Sequence, residues 1–372
     1  MTTTVRATRP QGATFIELFF DLVFVFAVTQ VTGVLAEHLT GVGLIRAVLV
    51  FWLVWWAWTQ FTWTLNAADT EHSGVQLLTM AAVAAAFLMA LTVPDAFEAT
   101  GWWFATAYIL VRLIGLAGQW WVSSGDAEWR GAIRPWMALS FAGLATVAVA
   151  AALPSGPRTV AFGVAAALDL FSAWRAGDGE WRLYPEHFAE RHGLFVIIAL
   201  GESLIAAGTF AADQPRTGVL LAAVIFAVAG ACALWWTYFA RAKGALEEAM
   251  HRAASRERGR YARDVYSLLH FPIIGGVVGF AVAIEEAVAH PTEHLEPAGA
   301  LALVVGVALF VGCTGVALVR AGAGWPVVRA LGGMALLGSY PLAVAWSAPS
   351  ALAWVAAIVV VVAAAETLLP QR

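Results

Sequence analysis

The sequence predicts an all-α membrane protein, a bundle of about twelve transmembrane helices with the N- and C-termini in the cytoplasm. Its 372 residues are 61% hydrophobic and only 12% charged, whereas about 25% of the residues of a soluble domain carry a charge. Apolar stretches of about 20 residues recur from end to end, and that length crosses a hydrocarbon core of roughly 30 Å. Basic residues also fall unequally on alternate loops, which gives the orientation.

Glycines, prolines and charge clusters separate the apolar stretches and set the limits of each predicted helix. The first stretch follows a long polar start and contains acids, so we predict a full-length helix there and not a cleavable signal peptide. In order, the predicted spans are residues 14–36, 43–64, 75–93, 101–122, 134–153, 158–174, 188–210, 217–240, 262–288, 298–320, 326–346 and 349–368.

Cytoplasmic loops collect lysine and arginine. With the N-terminus inside, the outer face receives only Arg46, Arg158 and Arg216, while Arg112 lies within a span. The inner face receives Arg6, Arg9, Arg130, Arg134, Arg175, Arg182, Arg191, Arg320, Arg329 and Arg372, together with Arg241, Lys243, Arg252, Arg256, Arg258, Arg260 and Arg263 of a basic loop over 241–263. This asymmetry predicts that both ends lie in the cytoplasm. We also predict that the protein is a multi-pass protein of the inner (cytoplasmic) membrane.

A weak internal repeat divides the chain. The segment LVWWAWTQF at 53–61 resembles ALWWTYFAR at 233–241, and a histidine follows each at nearly the same distance. We predict two six-helix halves, residues 1–185 and 186–372, in the same orientation, as in transporters built from parallel repeats. Chance resemblance between aromatic-rich spans is the alternative.

Two acids lie inside the first span. Glu17 and Asp21 are four residues apart, so they share one helix face. A charged side chain at the bilayer centre costs about 2.5–3.5 kcal/mol on insertion scales, and two neighbouring carboxylates repel unless a proton, an arginine or a cation separates them. The alternative is that the pair caps the helix, whose N-terminus favours anions.

A third acid, Glu202, stands in the apolar run of the seventh span, about 14 residues or roughly 20 Å from the start of that span. Arg112 in the fourth span is its predicted partner. A purely structural pair between these helices is the alternative interpretation.

The polar run Glu190-Arg191-His192 precedes that apolar run. His187 shares a helix face with Glu190 and Arg191, a spacing that can contribute to a metal site in a bundle. Because no H-E-x-x-H or C-x-x-C pattern is present, we predict neither a metal nor a cofactor. His270, two residues before a proline that can kink a helix, is predicted to face a substrate.

The predicted partners are the lipid bilayer, protons and a small-molecule substrate. Each basic residue near an anionic surface contributes about 1 kcal/mol, so we predict that Arg252, Arg256, Arg258 and Arg260 contact anionic lipid, although these charges could serve topology alone. A formal net charge of -4 argues against binding to nucleic acid.

Two motifs, FIELFFDLVFVFAVTQ at 15–30 and HFAERHGLFVIIALGESLIA at 187–206, are similar to those of the bacterial low-temperature-requirement A (LtrA) family. The resemblance implies a multi-pass membrane protein and a family named for a growth phenotype in the cold, without implying a reaction. The matching positions are Glu17, Phe20, Asp21, Glu190, Arg191, His192, Gly193, Gly201 and Glu202.

The sequence favours a proton-coupled secondary transporter of a small solute. Its candidate substrate-binding or proton-coupling residues are Glu17, Asp21, Arg112, Glu190, Arg191, His192, Glu202 and His270. One alternative is a non-catalytic membrane component that supports growth in the cold. Another is an intramembrane enzyme that acts on a lipid or isoprenoid substrate, although no catalytic residue is predicted, since no nucleophile elbow, phosphate loop or metal motif is present.

Overall fold

The computed structural model describes residues 5–7, 12–176, 183–324 and 326–368. Those residues form α-helices joined by short connections, and their only β-type pairings are two isolated bridges. The all-α prediction is therefore confirmed for this part of the chain. Three arginines of the orientation argument, Arg9, Arg182 and Arg372, lie outside it.

Fifteen α-helices occur in the described residues, with two π-helical segments, Tyr238–Ala242 and Ala262–Leu269. The α-helices are α1 (Phe15–Glu37), α2 (Gly41–Ala67), α3 (Ser73–Leu91), α4 (Trp102–Val122), α5 (Ala127–Ala151), α6 (Ser155–Ala176), α7 (Pro185–Ala212), α8 (Gly218–Thr237), α9 (Lys243–Arg252), α10 (Ser255–Tyr261), α11 (His270–Ala289), α12 (Pro297–Arg320), α13 (Val327–Gly338), α14 (Tyr340–Ala345) and α15 (Ala348–Leu368).

In the described residues, ten helical segments are long and apolar enough to cross a membrane. The sixth and eleventh predicted spans are not among them. The sixth is a helix, α6, whose apolar run is interrupted by Arg158 and Asp169. The eleventh is divided between α13, which has only 12 residues, and the shorter α14. The count of twelve and the positions of the termini stay predictions.

The connection predicted as a loop over 241–263 is helical instead. The π-helical segments join α8 to α9 and α10 to α11, so that Gly218–Arg252 and Ser255–Ala289 are each 35 residues long. At 1.5 Å per residue such a helix is about 52 Å long and exceeds the hydrocarbon core. The many charged residues of this segment led to the prediction of a loop. Its apolar residues nevertheless have helical spacing, since Leu246 and Met250 lie four residues apart and are both fully buried.

The basic residues of this hairpin are not equivalent. Arg258 is half-buried and donates to the carbonyl oxygens of Met250 and Ala253, at 3.3 and 3.1 Å, at the end of α9. It therefore satisfies carbonyls that a helix end leaves without partners. Arg252, Arg256 and Arg260 are exposed, and their contact with anionic lipid stays a prediction.

The chain divides into two compact units. The first contains the described residues of Met1–Val34, Gly41–Phe195 and Met250–Ser267; the second contains those of Leu35–Thr40, Val196–Ala249 and Leu268–Arg372. The predicted parallel repeat and its boundary after residue 185 stay predictions.

Helix α2 lies at the centre of the first unit. Its Trp55, Trp58, Phe61 and Leu65 are at most 1% exposed, and buried side chains occur on all its faces. A helix that is hydrophobic all round belongs in an interior. Polar side chains of α2, among them Asn66, are consequently buried and must find partners within the protein.

In the second unit, α11 and α12 approach closely through glycines. A Cβ atom added at Gly306 would lie 2.9 Å from the carbonyl oxygen of Gly276 and 3.0 Å from the Cα of Gly279. The absence of a side chain at these positions lets the two backbones meet, as small residues do in membrane bundles.

Replacing Gly306 by alanine is expected to lower the free energy of unfolding by about 1–3 kcal/mol, the usual cost of overpacking a core. Gly312 lies on the same helix, and a Cβ there would meet nothing within 4 Å. The Gly312→Ala variant is the matched control and should be at least as stable as the wild type, because alanine favours a helix over glycine by about 1 kcal/mol. Thermal unfolding in detergent measures both. Equal stability of the two variants would contradict the close packing.

Candidate functional site

Three arginines, Arg112, Arg191 and Arg329, are at most 1% exposed. A buried charge is costly unless it is paired and hydrogen-bonded. We therefore compared the number of carboxylates beside each guanidinium with its single positive charge.

Arg191 on α7 lies between the two acids of α1, and all three side chains are fully buried. Its Nη1 is 3.4 Å from Oε1 of Glu17, its Nε donates to Oδ2 of Asp21 at 3.3 Å, and its Nη2 bonds Oδ1 of Asp21. The indole N–H of Trp58 donates to the same Oδ1 at 2.7 Å. Of the three possibilities that the spacing left open, an arginine separates the carboxylates.

The capping interpretation of Glu17 also holds in part. Glu17 lies in the first turn of α1, where its Oε2 accepts from the backbone N–H of Thr14 at 3.0 Å and from the Thr14 hydroxyl at 2.9 Å. A third donor reaches the same oxygen, because Nε2 of His187 lies 3.0 Å away. Glu17 Oε2 thus has three hydrogen-bond partners.

The ring of His187 is held in one tautomer by Asn66. The amide of Asn66 accepts from the backbone N–H of Tyr184 at 2.9 Å and donates to the Tyr184 carbonyl at 3.0 Å, which fixes its orientation. Its N–H therefore faces Nδ1 of His187, 3.0 Å away. With Nδ1 as acceptor, the proton of the ring lies on Nε2, which donates to Glu17. His187 is neutral in this arrangement.

This cluster of Glu17, Asp21, His187 and Arg191 contains one cation and two carboxylates. Its remaining acceptor capacity lies on two oxygens. Among the described residues, Oδ2 of Asp21 accepts only from Arg191, at 3.3 Å, and Oε1 of Glu17 accepts only from Arg191, at 3.4 Å. A carboxylate oxygen accepts two hydrogen bonds readily, so these two oxygens are the places where a proton can be added without displacing a donor.

Arg112 is balanced by a single acid. Its guanidinium lies 3.4 Å from Asp169, and it donates to Oε1 of Gln60 and to the Tyr108 hydroxyl at 2.6 Å each. The sequence predicted Glu202 as its carboxylate partner, but the partner found is Asp169. Spacing along the chain could not identify it, because the two residues lie on different helices, α4 and α6.

Arg329 in the second unit is balanced in the same way. It donates to the two carboxylate oxygens of Glu366 at 2.6 and 2.9 Å, to the Thr314 hydroxyl at 2.6 Å and to the Thr237 carbonyl at 2.6 Å. The distribution of basic residues predicted Arg329 on the inner face, but its burial was not predicted. Of these three arginines, Arg191 alone is paired with two acids.

The neighbours of Arg191 in the sequence differ in environment. Glu190 is half-buried and accepts from the backbone N–H of Ala13 at 2.8 Å, which ties the start of α1 to α7. His192 is fully buried, and its Nδ1 lies 2.8 Å from the Phe188 carbonyl. Aromatic rings surround it, with the centroids of Trp58 and Tyr266 at 4.9 and 5.0 Å.

His270 is fully buried in the second unit, and its Nε2 lies 2.6 Å from the Tyr238 hydroxyl. Pro272 lies in the middle of the continuous helical segment Ser255–Ala289, just after its π-helical part. The irregular backbone is the π-helical segment Ala262–Leu269, which includes Leu268, the residue whose carbonyl Pro272 cannot bond. That His270 faces a substrate stays a prediction.

Glu202 is half-buried on α7, in the part that belongs to the second unit. Its side chain makes none of the ion pairs or hydrogen bonds found in the described part of the chain. Nor do the described residues contain a group of three or more His, Cys, Asp and Glu side chains that could hold a metal ion.

Two partners of the cluster were not predicted from the sequence. Neither Trp58 nor Asn66 is among the candidate residues that the sequence singled out. The sequence did contain a signal for Asn66. It is a polar amide at the end of the long apolar segment of α2, and a buried amide requires hydrogen-bond partners.

Replacing Arg191 by methionine leaves Glu17 and Asp21 buried without a cation. We expect the free energy of unfolding to fall by about 3–5 kcal/mol, the usual cost of removing one partner of a buried pair. Adding Glu17→Gln and Asp21→Asn to the same chain should restore most of the loss.

Thermal unfolding of the purified variants measures both effects. The exposed Arg216 supplies the control, because Arg216→Met should change stability by about 0.5 kcal/mol or less. An Arg191→Met protein as stable as this control would show that the cluster is not held by its cation.

The model of the bacterial low temperature requirement A protein (LtrA) family matches residues 12–364. A protein of Rhizobium meliloti (strain 1021), itself described as uncharacterized, is 27% identical over 316 residues, which cover 76% of this chain and 71% of the relative. No solved structure matches the chain. The family match includes both sequence motifs and every residue of the buried cluster, and the chain belongs to the bacterial LtrA family.

Proposed function

We propose that this LtrA protein is a secondary transporter that couples the movement of a small solute to protons, with the coupling proton held by the buried cluster around Arg191. The observation that carries the proposal is the charge balance: two carboxylates face one guanidinium, and the adjacent His187 is neutral. An uncompensated charge in a membrane interior costs about 2.5–3.5 kcal/mol or more. One bound proton makes the cluster neutral.

Hydrogen bonding favours Asp21 as the carrier of that proton. Glu17 receives three donors on one oxygen and an arginine N–H on the other, so protonation would weaken more of its contacts. Asp21 receives two donors on Oδ1, whereas its Oδ2 has one contact at 3.3 Å. Glu17 then remains ionised and holds Arg191 in place.

The same charge balance provides a means of coupling. While the cluster is closed to water, the protonated form is favoured because it is neutral. In a conformation that opens the cluster to water, the second charge is solvated and the proton can leave. A ligand or solute that binds one of these conformations more tightly shifts the equilibrium between them, and so binds or releases a proton.

Arg112 and Arg329 are assigned a structural role in this proposal. Arg112 with Asp169 and Arg329 with Glu366 are each neutral as pairs, and each guanidinium has further hydrogen-bond acceptors. These two pairs hydrogen-bond polar groups of neighbouring helices, and neither pair needs a bound proton to be neutral.

The test is solute-driven proton movement in proteoliposomes on a solid-supported membrane. Inorganic anions, amino acids, sugars and divalent metals are applied in turn, and transient current and internal pH are recorded. We expect at least one class to drive proton movement in the wild type. Asp21→Asn should abolish the proton movement while exchange of labelled solute across the membrane continues, because the variant fixes the cluster in its neutral form.

Asp213→Asn is the matched control, since Asp213 is exposed just after α7, and it should behave as the wild type. Absence of any solute response in active wild-type preparations would instead favour a non-transporting membrane component. Proton movement that persists in Asp21→Asn would refute the assignment of the proton to this cluster.

A further inference from the structure

A groove in the second unit runs between the first turns of α8 and α15. It has a volume of about 570 Å³ and is lined by residues of the stretches 218–226 and 346–357. The two helices meet where the groove ends, since a Cβ added at Gly230 of α8 would lie 3.9 Å from the Cβ of Ala356 on α15. The groove is therefore open at the starts of both helices and closed further along them.

The depth of the groove equals that of one membrane leaflet. Helix α15 has 21 residues, so it is about 31 Å long and matches a hydrocarbon core of roughly 30 Å. Its first residue, Ala348, consequently lies at a membrane surface, and Ala357 lies about 14 Å deeper. One leaflet contributes about half of the core, or roughly 15 Å.

The lining changes from polar to apolar with depth. The hydroxyl groups of Ser347 and Ser350 and the indole of Trp346 line the end at the membrane surface, whereas Phe226 and Ala357 line the deep end. None of the described lining residues carries a charge. A molecule that fills this groove is therefore apolar along most of its length and polar at one end.

The polar end of the groove offers hydrogen-bond donors. The hydroxyl oxygens of Ser347 and Ser350 lie 2.9 Å apart, and the bond between them uses only one of their two protons. The indole N–H of Trp346, a residue that is 39% exposed, makes none of the hydrogen bonds found among the described residues. A ligand with acceptor oxygens at this level can thus receive bonds from a hydroxyl and from an indole.

The width of the groove separates a lipid chain from a helix. Its volume divided by a length of about 14 Å gives a mean cross-section of about 40 Å². An α-helix with its side chains is about 10–12 Å across, which corresponds to about 80 Å² or more. A helix of a second copy is too wide to enter, whereas a single hydrocarbon chain fits.

We propose that this groove is a binding site for one glycerophospholipid. One acyl chain lies between α8 and α15, and the ester and phosphate oxygens accept hydrogen bonds from the serine hydroxyls and from Trp346. Such a lipid supplies acceptors where the groove has donors and hydrocarbon where the groove is apolar, and the surrounding bilayer provides it. This inference does not depend on the proposed transport function.

Native mass spectrometry of the purified protein in detergent, with phosphatidylethanolamine or phosphatidylglycerol added, counts the bound lipid. The wild type should retain one phospholipid after washing with lipid-free detergent. Ala357→Phe places a ring in the deep end and should weaken this binding about tenfold or more, within the usual cost of overpacking a filled site.

Ala364→Phe is the matched control, because Ala364 is also exposed on α15, seven residues further along and outside the groove. It should bind the lipid as the wild type does. A wild type that retains no phospholipid, or equal binding by the two variants, would overturn the proposal.

Photo-cross-linking locates the lipid in the unaltered protein. A phospholipid with a diazirine at the end of one acyl chain should label the stretches 218–226 and 346–357 more strongly than α3, where Leu77 is 72% exposed. Excess unlabelled phospholipid should remove this label, and glycerol phosphate, which has no acyl chain, should leave it. Labelling that is no stronger in the groove than on α3 would refute the site.

Ser350→Ala tests the polar end. Ser350 is exposed, so the fold is retained, and the affinity for the phospholipid should fall about fivefold, the usual contribution of one hydrogen bond. An unchanged affinity would refute the position assigned to the polar end of the lipid.

Discussion

The pairing of Arg191 with two carboxylates of α1 is the interaction on which the first unit depends. A guanidinium and two acids that are fully buried can be tolerated only if every charge has a partner at short range. That requirement fixes α7 against α1 at the level of Glu17 and Asp21, and it draws in Trp58 and Asn66 from α2 as hydrogen-bonding partners. The three helices are thereby linked by polar contacts within a largely apolar interior.

The cluster also explains why the two sequence motifs occur together. The first motif supplies the acids and the second supplies the arginine and His187, some 170 residues later. Asn66 belongs to neither motif, yet it orients His187 through the backbone of Tyr184. The tautomer that follows leaves Arg191 as the only cation, and the resulting excess of one acid is what separates this place from the balanced pairs around Arg112 and Arg329.

Part of the cluster could be predicted from the spacing of the two acids and from the free-energy cost of placing a charge in a membrane interior. The four-residue interval between Glu17 and Asp21 required them to share a helix face, and their depth required a partner between them. Which partner it is could not be predicted, because pairing between helices depends on tertiary packing. The same limit explains why Asp169, and not Glu202, accompanies Arg112. The prediction of a loop over 241–263 was wrong for another reason. It relied on the many charged residues there and overlooked Leu246 and Met250, which have helical spacing and are both buried.

Infrared difference spectroscopy of the membrane-embedded protein tests whether the buried cluster holds one proton on Asp21. A protonated carboxyl group has a carbonyl stretch distinct from that of a carboxylate, and it shifts on exchange into deuterated water. We expect this band in the wild type and in the Glu202→Gln variant. We expect its loss or clear reduction in Asp21→Asn, which lacks the carboxyl group, and in Glu17→Gln, where ionised Asp21 alone balances Arg191. A spectrum of Asp21→Asn that retains the full band, or a wild type without any, would contradict the account.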